Sequence, residues 1–316
     1  LEYAGEKGIH GAILSYLSLK KENFYMVENT VDGKFFVTAR GWEDLSEILK
    51  SYEELQVEIG EELIGEFLQK EEIARDFAGY YRLYEKYKSD YQIQEILDGN
   101  VISGQLKTCC DMGKKASFEE RFTVTEMLLE AVTERISVFQ KIDEKTEKLY
   151  ENLKLLKIFL QEKNSVEAME QFVASRRKAL DAKICSELLT AEEAAREEEQ
   201  IRILEEYFFQ LKELHISDVA EGIEQIGERF GNVCRLRNEK LEETKKMLEQ
   251  AFSFLEECFG EGQELLLFET GLTGDDRCSI FISQYGCPSY FKHCELLLYS
   301  KKENELRKEC RDLLEE

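Results

Sequence analysis

From Phe118 to Leu160 the chain contains neither glycine nor proline. Phe122, Leu129, Val132, Ile136, Phe139, Ile142, Leu149, Leu153, Leu156 and Leu160 fall mostly three and four residues apart. A strand would throw such a set onto both faces, whereas a helix gathers it into one seam. "EKNS" at 162–165 interrupts the pattern. A second run uses Val166, Met169, Val173, Leu180, Ile184 and Leu188, and resumes after the acidic "AEEAAREEEQ" at Ile201, Leu204, Phe208 and Leu211. A third begins at Ser217-Asp218, a capping pair, and continues through Val219, Ile223, Ile226, Phe230, Val233, Leu248, Ala251 and Leu255. The whole chain has one proline and 19 glycines in 316 residues, so unbroken helices are permitted almost throughout. Three long helices joined by short turns are expected, forming an antiparallel, coiled-coil-like module over 111–257.

The segment before it has a different texture. "IHGAILSYLSL" reads as a short helix with Ile9, Ile13, Leu14 and Leu17 on one face. Two β-type runs, 24–28 and 34–38, flank Asp32-Gly33, a hairpin signal. A helix over 41–57 follows, with Glu43 and Asp44 in its first turn and Leu45, Ile48, Leu49 and Tyr52 as its apolar stripe. A helix pair over 60–97 carries Phe67, Phe77, Tyr80, Tyr81, Tyr84, Tyr87 and Tyr91, which at helical spacing reads as core or interface. The tail from 258 to 316, apolar and punctuated by glycine, is expected to fold as two or three helices. The fold class is therefore mainly α with one small β-hairpin.

The net charge is −24 and the pI near 4.7. Such a field repels nucleic-acid phosphates and anionic membranes, and no long basic patch offsets it. Nine cysteines, an odd number with several at apolar helical positions, fit reduced thiols and a cytoplasmic setting better than a disulfide framework. No apolar run approaches the roughly 20 residues of a membrane span. The first residue is not methionine, and the opening residues read as a helix in progress. The sequence is therefore expected to be part of a longer gene product.

Motifs with self-sufficient chemistry are scarce. No G-x-x-x-x-G-K-[ST] loop is present; "GEKGIHG" lacks the Lys-Ser/Thr ending. "LLLFE" at 265–269 imitates an apolar strand ending in a metal-holding acid, but reads better as a buried helix. "CPSYFKHC" offers Cys287, His293 and Cys294 without the second ligand pair that structural zinc usually shows, although Cys278 and Cys310 lie near in sequence. A helix starting at Pro288 is the simpler reading. His10, His215 and His293 accompany no recognisable nucleophile motif. One place invites a sharper question. At "FFVTARGWEDLSEIL" a strand gives way to a helix through Thr38-Ala39-Arg40-Gly41-Trp42, and Trp42 is the only tryptophan. A helix start is an anion-binding geometry, so an arginine there could serve a phosphate or simply lie on the surface.

The stretch "FYMVENTVDGKFFVTARGWEDLSEILKSYE" resembles the lid domain of MoxR-family AAA+ ATPases, as do "EKGIHGAILSYLSLKKENFY" and "EELIGEFLQKEEIARDFAGYYRLYEKYK". The family's lid carries a Thr/Ser-x-Arg-x-Trp-Glu segment whose arginine, sensor 2, reaches the γ-phosphate of ATP. The resemblance aligns Arg40 with that arginine, with Thr38, Gly41, Trp42 and Glu43 as its supporting neighbours. "ELLLFETGLT", "SIFISQYGC" and "HCELLLYS" resemble the C-terminal extension of one branch of the family. The resemblance implies an AAA+ lid over 1–110, a long helical extension and a helical cap. It implies ATP and Mg²⁺ as ligands of a complete member and chaperone-like remodelling of partners, often proteins with von Willebrand factor A domains. The AAA+ core of the same polypeptide, or of ring neighbours, would be the immediate partner. The sequence departs from the family in carrying no Walker A or Walker B motif, so catalytic residues are not assigned and the chain alone is expected to be inactive. The alternative reading is a non-enzymatic helical scaffold with a lid-like fold.

Overall fold

The computed structural model describes residues 8–30, 33–100, 103–160 and 164–297. The opening residues 1–7, Asp32 of the expected hairpin turn, and Cys310 lie outside the described residues. The chain divides into two compact units, one formed by Leu1–Ile136 with Lys245–Glu316, the other by Ser137–Thr244.

In the first unit, α1 (Gly11–Leu19) and a 3₁₀ turn (Lys21–Phe24) lead into β1 (Met26–Thr30) and β2 (Gly33–Val37), which pair antiparallel with Val27 opposite Phe36. The first strand begins a little later than the β-type pattern suggests because Phe24 is taken up by the 3₁₀ turn. Then come α2 (Ala39–Glu54), α3 (Glu61–Phe67), α4 (Glu71–Tyr91), α5 (Ile93–Asp98) and α6 (Ser103–Gly113). The expected helix pair over 60–97 is thus three helices, since Leu68 leaves helical geometry and Gln92 is left-handed. Trp42, Tyr16 and Phe77 are fully enclosed and meet ring to ring, with Leu45 and Leu49 continuing the core along α2. The C-terminal part of this unit holds α11 (Gln263–Gly274), α12 (Asp276–Tyr285) and α13 (Pro288–Leu297). "LLLFE" lies inside α11, and Pro288 opens α13, where its missing N–H costs nothing.

Two long helices, α7 (Phe118–Phe159) and α10 (Val219–Phe259), each contribute residues to both units. Between them in sequence stand α8 (Ser165–Cys185) and α9 (Ala191–Glu213). The three expected helices of this region are therefore four. The acidic "AEEAAREEEQ" is the first part of a helix, not an interruption. Thr190 caps it: its hydroxyl accepts from the Glu193 N–H at 3.2 Å, and the Glu193 carboxylate accepts from the Thr190 N–H at 2.8 Å. The real break is Ser186–Thr190, where Glu187 takes a left-handed φ of 53°.

Within the second unit, Lys183 pairs with Glu197, and Arg177 with Glu205, a descending register that makes α8 and α9 antiparallel. Asp143 with Arg237 and Tyr150 stacked on Phe230 set α7 against α10 in the same sense. Leu149, Leu156, Met169, Phe172, Leu204 and Leu211 are buried in its core. Among the described residues no helix is long and apolar enough to cross a membrane.

Candidate functional site at a strand-to-helix turn

The turn after β2 is built from the backbone outward. Thr38 is extended (φ −136°, ψ 160°), and its hydroxyl accepts from the Gly41 N–H at 3.2 Å, satisfying one of the unpaired donors of α2. Gly41 is required by packing. A Cβ there would lie 2.7 Å from the Phe67 carbonyl oxygen, so the first turn of α2 runs directly against the end of α3. Trp42 fixes the turn from inside: its ring meets Phe77 edge-on at 5.2 Å, and its Nε1–H donates to the Asn23 carbonyl at 3.3 Å. Tyr16 reinforces the same spot. Its hydroxyl donates to Asp76 at 2.7 Å and accepts from the Asn23 amide at 2.7 Å.

Arg40 stands on this rigid base with its side chain 83% exposed. It pairs with Asp44, one turn along, at 3.6 Å. A solvent-exposed pair at that distance contributes well under about 1 kcal/mol and does little to hold the guanidinium. Glu43 is exposed on the helix surface. The turn therefore brings Thr38, Gly41 and Trp42 together as its structural base and leaves Arg40 and Glu43 facing solvent.

A second polar constellation, which no local motif announced, lies within the first unit. His10 caps α1: its Nδ1 accepts from the Ala12 N–H at 3.1 Å, so in this geometry the ring proton sits on Nε2 and points at Glu53 Oε1, 2.8 Å away. The Tyr81 hydroxyl (2.9 Å) and the Lys88 ammonium (3.1 Å) also donate to Glu53. Burial alone would raise the Glu53 carboxyl, but the His10 bond, with Lys88 and Tyr81, outweighs it and brings it down to about 2. Glu53, Gln56, Ile59 and Tyr81 line a cleft of about 570 Å³. The carboxylate is fully engaged by three donors, so the group reads as a structural anchor. Its members come from positions 10, 53, 81 and 88, too far apart for spacing to reveal them.

The cysteine-histidine motif is dispersed into separate contacts. The Cys287 thiol donates to Glu249 at 3.3 Å, while His293 Nε2 meets Glu256 at 2.5 Å. Among the described residues no group of three or more His, Cys, Asp or Glu side chains could hold a metal ion. No family model, curated protein or solved structure matches the chain.

Proposed function

We propose that this chain is the lid and C-terminal helical extension of a MoxR-type AAA+ ATPase, with Arg40 as its sensor-2 arginine. The observation that carries the reading is the contrast within one turn: a buried, doubly anchored tryptophan and a capped helix start, and two residues earlier an exposed guanidinium whose ion pair is to a solvated aspartate. A residue that must reach a phosphate on another folded body needs that combination, a fixed base and an uncommitted head. The sequence holds no phosphate loop, so on this reading ATP and Mg²⁺ would be held by a separate nucleotide-binding core. Arg40 would supply planar, permanently charged N–H donors to the γ-phosphate, where charge develops during transfer. The acidic helices would face partner proteins, of which von Willebrand factor A domains are the class the resemblance suggests, in a cytoplasmic assembly.

The test joins this chain to its core, as the complete gene product or as a fusion. Arg40→Ala is expected to lower ATP turnover by roughly tenfold to a thousandfold, by analogy with other phosphate-clamping arginines. Its melting temperature should barely move, because the Asp44 pair is exposed. Arg40→Lys should recover part of the rate, since an ammonium lacks the fork. Unchanged turnover in Arg40→Ala would remove the sensor-2 assignment and leave a helical scaffold. The 316-residue chain by itself is expected to show no turnover above a mock preparation.

A further inference from the structure

Tyr207 on α9 and Arg229 on α10, both in the second unit, hold polar atoms that the core does not explain. Tyr207 is 5% exposed, and its hydroxyl has no hydrogen-bond partner among the described residues. Arg229 Nη1 is likewise buried without a partner among them. The two belong to one place, for the guanidinium carbon lies 5.3 Å from the centroid of the Tyr207 ring. Cation–π contact accounts for the stacking but satisfies neither the N–H nor the O–H. Leaving such groups unmatched costs on the order of 1–3 kcal/mol each, more for a charged one.

Matched arginines are the rule nearby. Arg177 reaches Glu205 at 2.6 Å and Arg237 reaches Asp143 at 2.6 Å. Arg229 has Gln225 and Val233 one turn away on either side, so its own helix offers no acid at the four-residue pairing distance. In a chain with 66 acidic residues, a half-buried arginine with an unmatched Nη1 is a departure from the local pattern.

We infer that Arg229 and Tyr207 form a binding site for a small oxyanion of carboxylate or phosphate type. Arg229 Nη1 is a charged donor with no acceptor capacity and the Tyr207 hydroxyl can donate beside it, so an acceptor with negative charge is the ligand that matches both. A neutral acceptor would leave the guanidinium uncompensated, and a cation would be repelled. Burial pushes the Tyr207 hydroxyl above its ordinary range, with the Arg229 charge acting the other way and Cys234 and Glu206 adding to the rise, so the phenol stays protonated and able to donate. Gln200 Oε1, also unpartnered among the described residues, is an acceptor two turns earlier on α9; its amide donates to the Lys145 carbonyl at 3.2 Å, and it takes no part in the site.

The test is isothermal titration of the full 316-residue chain with sodium orthophosphate and, separately, sodium acetate, at ionic strength matched with chloride. Saturable binding of one equivalent is expected for at least one anion. Preference for orthophosphate identifies a tetrahedral ligand, and preference for acetate a planar carboxylate. Arg229→Met and Tyr207→Phe should each weaken that binding about tenfold or more, with Arg229→Lys between. Melting curves of the variants check the fold. Should Arg229→Met not fold, Tyr207→Phe, which removes one hydroxyl and leaves the ring in place, decides the matter. Absence of saturable heat with both anions overturns the proposal. So does undiminished affinity in a folded Arg229→Met or Tyr207→Phe variant, because the anion then sits elsewhere.

Discussion

The two units are stabilised in different ways. Ser137–Thr244 buries a periodic set of aliphatic and aromatic side chains along helices cross-linked by ion pairs, so many positions perform the same task. The unit containing the strand-to-helix turn depends on single, irreplaceable contacts: one tryptophan wedged between Tyr16 and Phe77, one glycine against a carbonyl, one histidine capping a helix while holding a distant glutamate. Redundant packing spreads a loss over neighbours, whereas unique packing concentrates it.

Mutations can break or sharpen that contrast. Trp42→Ala should have the largest effect, about 3–5 kcal/mol of destabilisation by chemical denaturation, as expected for removing an enclosed aromatic. Gly41→Ala should cost about 1–3 kcal/mol, because the added methyl meets the Phe67 carbonyl, a backbone atom that cannot step aside cheaply. Gly227 is the control from the other unit. It lies on α10, and nothing stands within 4 Å of the place a methyl would take, so Gly227→Ala should stabilise by about 0.5–1 kcal/mol through helix propensity. Opposite signs for the two Gly→Ala changes would sharpen the comparison. A loss at Gly227 as large as that at Gly41 would break it.

Acidity probes the first unit by a separate route. Glu269 on α11 is 1% exposed with Oε1 unpartnered among the described residues, and burial raises its carboxyl to about 7. A carboxyl raised above its unfolded value of about 4.5 binds a proton more tightly in the native state, so it subtracts stability as pH climbs from about 4.5 through 7. Glu269→Gln should therefore raise the melting temperature at pH 8 and leave it nearly unchanged at pH 4. Equal shifts at both pH values would show that Glu269 is not buried as a proton-binding group.

The sequence was legible where structure is periodic. Ten apolar positions from Phe122 to Leu160 announced α7, and the hairpin and the mainly α class followed from equally local signals. It was misleading at 186–200, where acidity disguised a helix start; the Thr190-x-x-Glu193 pairing was the available clue. In the turn itself, the resemblance implied Thr38, Gly41, Trp42 and Glu43 as neighbours of Arg40 without showing what any of them would touch. Which atom crowds Gly41 was hidden, because Phe67 approaches from another helix. The His10–Glu53 pair and the Tyr207–Arg229 cluster were invisible for the same reason: both are made by tertiary proximity between residues with no fixed spacing.

The glycine of the turn has a consequence for how this protein could change over time. With the Phe67 oxygen occupying the space of a first side-chain carbon, every other amino acid meets the same obstacle at position 41, whatever its polarity or size beyond Cβ. A saturation library there, ranked by stability, should place glycine first, with every other residue losing at least about 1–3 kcal/mol. At position 227, where that space is open, survivors should be ordered by their helix preference. The neighbourhood of Arg40 is thus biased toward glycine at position 41 by a carbonyl on a separate helix, and drift in this unit is steered around that position.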